Sequence, residues 1–101
     1  MYMGVAHILV ITVPKKERII ARDLCDCLYY YDQTVECRVL SPSRIYVRVN
    51  INYLHECLKL KYFEKLIKNI EIFDFVSTSK PNCTECRVIQ IGDLYFVKSK
   101  V

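Results

Sequence analysis

The sequence predicts an α+β domain in the order strand, helix, strand, strand, helix, strand, completed by a C-terminal hairpin. Three observations lead there. The apolar positions change period along the chain, from nearly unbroken at Val5 to Thr12, to steps of three and four from Ile20, to alternation from Val35. With 52% hydrophobic residues and only 2 Gly and 3 Pro, the chain has neither the composition of a disordered segment nor that of a repeat. Its 101 residues suffice for one core and not for two.

Val5 to Thr12 is apolar and β-branched, as a central strand covered on both sides is. Pro14 suits the first turn of a helix, whose apolar face runs Ile20, Leu24, Cys27, Leu28, Tyr31. The opposite face carries Lys15, Arg18, Arg22 and Tyr29, with Cys25 beside them. After Asp32 and Gln33 the alternation of Val35, Cys37 and Val39 with Glu36 and Arg38 predicts a half-exposed strand. Ser41, Pro42 and Ser43 make a turn. A second strand follows, with Ile45, Val47, Val49 and Ile51 on one face and Tyr46, Arg48 and Asn50 on the other, so the two should form an antiparallel hairpin.

Asn52 is a suitable N-cap for a second helix. Its phase is broken, because Leu54, Cys57 and Leu58 lie on one side and Phe63, Leu66, Ile67 and Ile70 nearly opposite, which puts an interruption near residues 59–62. Ile70 to Val76 reads as a strand whose alternation is spoiled by Asp74. Ser77 to Thr84 is a loop, and Cys86 to Ile91 and Leu94 to Val97 flank Gly92-Asp93, a two-residue turn of type II′. The order is that of a ferredoxin-like split βαβ sandwich, β-α-β-β-α-β, with both helices on one sheet face and the other face open. Residues 1–78 form this sandwich, and residues 79–101 add the loop and hairpin to the same domain.

A net charge of +4 permits a polyanionic partner without demanding one. The longest apolar stretch, Val5 to Val13, is far short of a membrane span, and the first residues lack the pattern of a signal peptide, so a cytoplasmic protein with no membrane partner is expected. Six cysteines are unusual in an intracellular chain of this size, hyperthermophile proteins being the recognised exception. Usage heavy in Ile, Lys, Tyr and Val suits an AT-rich genome, such as that of a thermophilic archaeon or its virus.

Cys83 and Cys86 have the spacing of half a zinc site or of a small disulfide. Cys25, Cys37, Cys57 and His55 are too scattered to complete a metal set, and Cys25 and Cys27 point apart on a helix, so no metal is expected; the thiols read as free, with a Cys83–Cys86 bridge as the alternative. Cys27, Cys37 and Cys57 read as small core residues. His7 lies within a strand and His55 within a helix, and there is no Gly-rich phosphate loop or nucleophile elbow. No catalytic residue and no cofactor are therefore expected, and the chain reads as a non-enzyme.

Lys15, Arg18 and Arg22 at i, i+3 and i+7 can follow a phosphate backbone while Tyr29 offers a ring for a base. The plain alternative is a solvated helix face, and Asp23 and Asp26 dilute its field. Lys59, Lys61, Lys65 and Lys68 form a second basic set. Tyr46, Arg48 and Arg38 on the open sheet face could make a stacking platform or a dimer surface.

From His7 to about Val76 the chain resembles the N-terminal ferredoxin-like half of THUMP-type tRNA-binding proteins, in particular the stand-alone helpers of tRNA cytidine acetylation. The likeness lies in His7-Ile-Leu-Val-Ile-Thr12 before Glu17-Arg-Ile-Ile-Ala-Arg-Asp-Leu24, then in Arg44-Ile-Tyr-Val-Arg-Val49 before Tyr53-Leu-His-Glu-Cys-Leu-Lys-Leu60, and in Leu66-Ile-Lys-Asn-Ile70. It implies a non-enzymatic helper in RNA processing or modification. Two classes of function are therefore expected: an RNA-binding accessory module contacting RNA through Lys15, Arg18, Arg22 and Tyr29, or a small homodimerising domain that uses the open sheet face or the hairpin. Metal or redox chemistry at Cys83 and Cys86 ranks third.

Overall fold

The computed structural model of the protein describes residues 5–99. Two antiparallel sheets and three helices make an α+β fold. In chain order the elements are β1 (Ala6–Thr12), α1 (Glu17–Tyr31), β2 (Glu36–Ser41), β3 (Arg44–Val49), α2 (Ile51–Leu58), α3 (Lys61–Leu66), β4 (Ile67–Phe73), β5 (Phe75–Ser77), β6 (Cys86–Ile91) and β7 (Leu94–Ser99). The four-stranded sheet has the order β2-β3-β1-β4 and the three-stranded sheet the order β5-β7-β6. Residues 1–4 and 100–101, the outer limits of the division drawn from the sequence, lie outside the described residues.

Side chains alternate across β1, so its two faces meet different layers. Ala6, Ile8 and Val10, with Ile45, Val47 and Val49 of β3, pack against Ile20, Leu24 and Leu28 of α1, Leu54 and Cys57 of α2 and Phe63 of α3. Leu9, Tyr46 and Phe73, on the opposite face, pack against Ile91, Leu94 and Phe96 of the small sheet. The expectation of an open sheet face is thus corrected: the C-terminal hairpin, joined by β5, covers it. Tyr46 is buried there with its ring edge-on to Phe96 at 5.4 Å, so it cannot serve as a base-stacking platform.

Four local expectations also change. Helix α1 begins at Glu17, so Pro14 and Lys15 form a turn ahead of it, with Lys15 at φ 68. The cap of α2 is Asn50, whose side chain accepts from the Asn52 N–H at 2.9 Å; this ends β3 at Val49 and moves Ile51 from strand to helix. The helical break falls at Lys59 and Leu60, and α3 stops at Leu66, so Ile67 and Ile70 belong to β4. The strand read through Asp74 is two strands. Asp74 donates its N–H to the Val97 carbonyl at 2.9 Å and accepts from the Ser99 N–H at 2.7 Å, so the chain leaves one sheet and enters the other at this residue. Gly92 has φ 62, and Asp93 has no positive φ, the pattern of a type II′ turn.

The cysteines are the largest correction. Instead of mostly free thiols in the core, the described cysteines are all paired, as Cys25–Cys37, Cys27–Cys57 and Cys83–Cys86. Cys25 and Cys27 do point apart, and each finds a different neighbour: β2 for the first and α2 for the second, at Cα separations of 5.9 and 6.1 Å.

Two stability experiments follow. Leu24 is fully buried between α1 and the sheet, so Leu24→Ala should cost about 2 to 5 kcal/mol in urea unfolding. A loss within the half kcal/mol or so of an ordinary surface change would mean that α1 packs through another face. The Cys27–Cys57 bridge spans 30 positions, so by loop closure its removal as the Cys27→Ala, Cys57→Ala pair should cost about 3 to 4 kcal/mol. Alkylation of the unreduced, denatured protein should label no cysteine; labelling at Cys27 or Cys57 would show that this pair is open.

Candidate nucleic-acid interface

With about 100° per residue, Arg18, Arg22, Cys25 and Tyr29 share one side of α1, away from Ile20, Leu24 and Leu28. Lys15 is not on that helical face, since it sits in the turn before the helix, yet it is exposed at the same end. The Cys25–Cys37 bridge ties this side of α1 to β2, the edge strand of the large sheet. The basic stripe therefore runs beside an open strand edge, with Tyr29 half-exposed about 16 Å from Arg18 along the helix.

The turn between β1 and α1 is anchored on both sides. The Thr12 N–H donates to the Ser43 carbonyl at 2.8 Å, and the Val13 N–H donates to the Leu66 carbonyl at 2.9 Å. These bonds gather three segments at one end of the sheet, and with them Lys15, Lys16 and Arg18, then Arg44, then Lys65 and Lys68. All six are exposed, and none takes part in an ion pair among the described residues. The cations that do are Arg22 with Asp23 at 3.4 Å, Arg48 with Glu36 at 3.1 Å, Lys59 with Glu56 at 2.5 Å and Arg87 with Glu71 at 2.5 Å. Asp23 is turned partly toward α3, where the Tyr62 hydroxyl donates to it at 2.6 Å and holds its carboxyl below the usual carboxylate range.

A cleft of about 300 Å³ opens at the head of the stripe, lined by Glu17 and Arg18 of α1 and by Val39, Leu40, Ser41 and Pro42 of β2 and its turn. The carboxylate oxygen Glu17 Oε2 and the hydroxyl Ser41 Oγ are buried and have no hydrogen-bond partner among the described residues. A bulge at Leu40 helps to shape this wall, since Val39 pairs with Ile45 while Ser41 pairs with Arg44.

The remaining residues singled out from the sequence lie elsewhere. His55 is exposed on α2, and Cys83 and Cys86 are bonded to each other in the approach to β6. Among the described residues no group of three or more His, Cys, Asp or Glu is placed to hold a metal ion. His7 stands at the opposite end of β1, where its Nδ1 shares a 2.7 Å hydrogen bond with the Tyr46 hydroxyl. Sequence reasoning missed Lys16 and Arg44. It also could not join Lys65 and Lys68 to Lys15, since only the strand pairing brings them to one end. Nothing in the sequence marks Glu17 as partly buried.

The fold and this surface define a small α+β protein with two stacked sheets, a helical layer and a basic end. The chain belongs to a family described as "Protein of unknown function (DUF3195)": residues 7–71 match its N-terminal domain and residues 73–99 its C-terminal domain. The division between the two matches falls at Ile72, near the end of β4 and two residues before Asp74, where the chain passes from one sheet to the other. No curated protein matches the chain. No helix among the described residues is long and apolar enough to cross a membrane.

One pH dependence follows from His7. Burial, and then the positive charge of Arg48, lower its pKa below the ordinary 6.5. The folded state thus prefers neutral imidazole, and below 6.5 the unfolded chain takes up a proton that the folded one resists. This contribution is present above 6.5 and is lost as pH falls from there toward the folded value. His7→Gln should flatten the stability curve between about pH 7 and about pH 5 in denaturant unfolding; an unchanged slope would remove His7 as its cause.

Proposed function

We propose that this protein is a cytoplasmic, non-enzymatic RNA-contacting accessory module that holds a sugar-phosphate backbone along its basic end and the outer face of α1. The observation that carries this reading is the convergence of six exposed, unpaired basic side chains from three chain segments. Charges placed so closely are costly unless a polyanion or counterions answer them, and release of those counterions drives association with nucleic acid. Arg22 and Tyr29 extend the surface along α1, the ring offering a stacking face. The resemblance of residues 7–76 to the ferredoxin-like half of THUMP-type proteins points to tRNA or a related structured RNA. The strand order β2-β3-β1-β4 with helices on one face supports reading the larger layer as a ferredoxin-like split βαβ unit, with the hairpin as an addition. Three disulfides support an origin in a thermophilic archaeon, where intracellular proteins keep such bonds.

The dimer reading loses the sheet face, which the small sheet covers, and keeps the hairpin, whose β6 is an edge strand with Val88 exposed. Binding of structured RNA should weaken with salt at a log-log slope of about −5 to −6 if the six basic side chains and Arg22 each engage a phosphate. Lys15→Ala, Arg18→Ala and Arg22→Ala together should make the slope shallower by about 2 to 3. Tyr29→Ala should cost about 1 to 3 kcal/mol of binding. No RNA affinity at low salt, with a mass that rises with concentration in sedimentation, would refute the RNA reading and favour the dimer.

A further inference from the structure

Strands β5 and β6 both run antiparallel to β7, which lies between them, so they are parallel to each other and the chain joining them has to cross β7. The crossing starts after Ser77, level with Tyr95, and ends at Cys86, level with Ser99. The inner face of the small sheet is packed against the large one, which leaves the outer face for residues 78–85. Val97 marks where they pass. It alternates with the inward Phe96, so it points outward, yet it is fully buried, while Phe75 and Val88, its partners on the adjoining strands, stay 44% and 38% exposed.

The Cys83–Cys86 disulfide fastens the end of this crossing to the start of β6. It differs from the other two bridges in what it joins and in what can reach it. Cys25–Cys37 and Cys27–Cys57 each link two elements, over 12 and 30 positions, and Cys57 is buried with Cys27 and Cys37 packed against the core. Cys83 and Cys86 stand 3 positions apart and tie a loop to the strand it leads into. Closing so short a loop constrains the unfolded chain least of the three. Cys83 is also the one exposed cysteine among the described residues. Open access is what separates an exchangeable disulfide from a structural one.

We propose that Cys83–Cys86 is a thiol–disulfide exchange site, the substrate of a dithiol reductant, and that opening it releases residues 78–85 from the outer face of the small sheet. A thiolate of the dithiol attacks the exposed Cys83 Sγ. The Cys83–Cys86 bond breaks, and the Cys86 Sγ leaves with the electron pair and takes up a proton. The second thiol of the reductant, as its thiolate, then displaces the Cys83 Sγ, which is protonated in turn. The protein disulfide is thereby reduced to two thiols, and the dithiol is oxidised to its own disulfide. The pair is a substrate rather than a catalyst because Cys86 opens a strand, whereas a catalytic pair sits at a helix N-terminus that favours the thiolate. Once the crossing is loose, Val97 loses its cover and joins Phe75 and Val88 in an apolar strip over three strands. None of this depends on RNA binding.

The test equilibrates the full chain, without denaturant, in dithiothreitol buffers of graded reduced-to-oxidised ratio. Each sample is quenched with acid and alkylated, every cysteine is mapped by peptide mass spectrometry, and the dye ANS reports exposed apolar surface in parallel samples. Cys83 and Cys86 should become labelled together, at a ratio roughly tenfold or more below that needed for any other cysteine. ANS fluorescence should rise over the same range with the far-UV circular dichroism unchanged, and oxidised dithiothreitol should reverse both changes. With oxidised glutathione, Cys86→Ser should form a mixed disulfide at Cys83 several-fold faster than Cys83→Ser forms one at Cys86; equal rates would remove Cys83 as the point of attack. Labelling of all six cysteines in one transition, or of Cys25 and Cys37 first, would overturn the exchange site. Selective reduction of Cys83–Cys86 with no change in ANS fluorescence would overturn the release of residues 78–85. The labelling series is read on the wild-type protein, so its outcome does not depend on whether a variant folds.

Discussion

Both faces of β1 must be kept from water, and the rest of the molecule is arranged to do it. Ile8 and Val10 are fully buried toward the helices and Leu9 is nearly so toward the small sheet, while β3 repeats the pattern with Ile45, Val47 and Val49 on one side and Tyr46 on the other. A central strand pair that is apolar on both faces needs a layer on each. Three helices supply one. For the other the chain uses β4, which runs along the edge of the large sheet and continues after Asp74 as an edge of the small one. Asp74 makes the crossing possible because its N–H and carboxylate both bond to β7, replacing the ladder partners lost where the strand bends.

This constraint also explains which parts of the fold were legible in the sequence. Helix α1 could be read because Ile20, Leu24 and Leu28 repeat at a helical spacing and are the residues buried. The second layer could not. Leu9 was hidden inside an unbroken apolar run, which has no visible faces, and Tyr46 read as polar beside Arg48 and Asn50 although its ring is covered by Phe96. The start of β4 was lost for a related reason: Phe63, Leu66, Ile67 and Ile70 keep a helical spacing across the junction, and no Gly or Pro marks it. What ends the helix is tertiary, the capture of the Leu66 carbonyl by Val13 and the pairing of Ile67 with Thr12. Cysteine pairing is tertiary in the same sense, since separations of 12 and 30 positions carry no local signal. Of the candidate interface, the sequence showed Arg18, Arg22 and Tyr29 on one helix face; the convergence of Lys15, Arg44, Lys65 and Lys68 exists only through strand order.

With both faces of the large sheet occupied, its rim stays exposed: the outer side of α1, the edge of β2 and the end of the sheet where three connections meet. The rim is also where the chain is most firmly cross-linked. Cys25–Cys37 holds α1 to β2, Cys27–Cys57 holds it to α2, and Thr12 and Val13 clamp the turn that carries Lys15. The backbones that bear the basic groups are thus set before any ligand arrives, which lowers the ordering cost of association even though long side chains must still be immobilised. On the proposed reading such a surface would be indifferent to sequence as long as only lysines and arginines made contact, because phosphates are alike along any strand. Discrimination requires a group that basic side chains cannot imitate, placed where water is excluded and a wrong partner leaves it unsatisfied. At the head of α1 the one acidic residue lining the cleft, Glu17, stands beside Arg18 against the β2 bulge, so this end of the basic surface is not uniformly cationic.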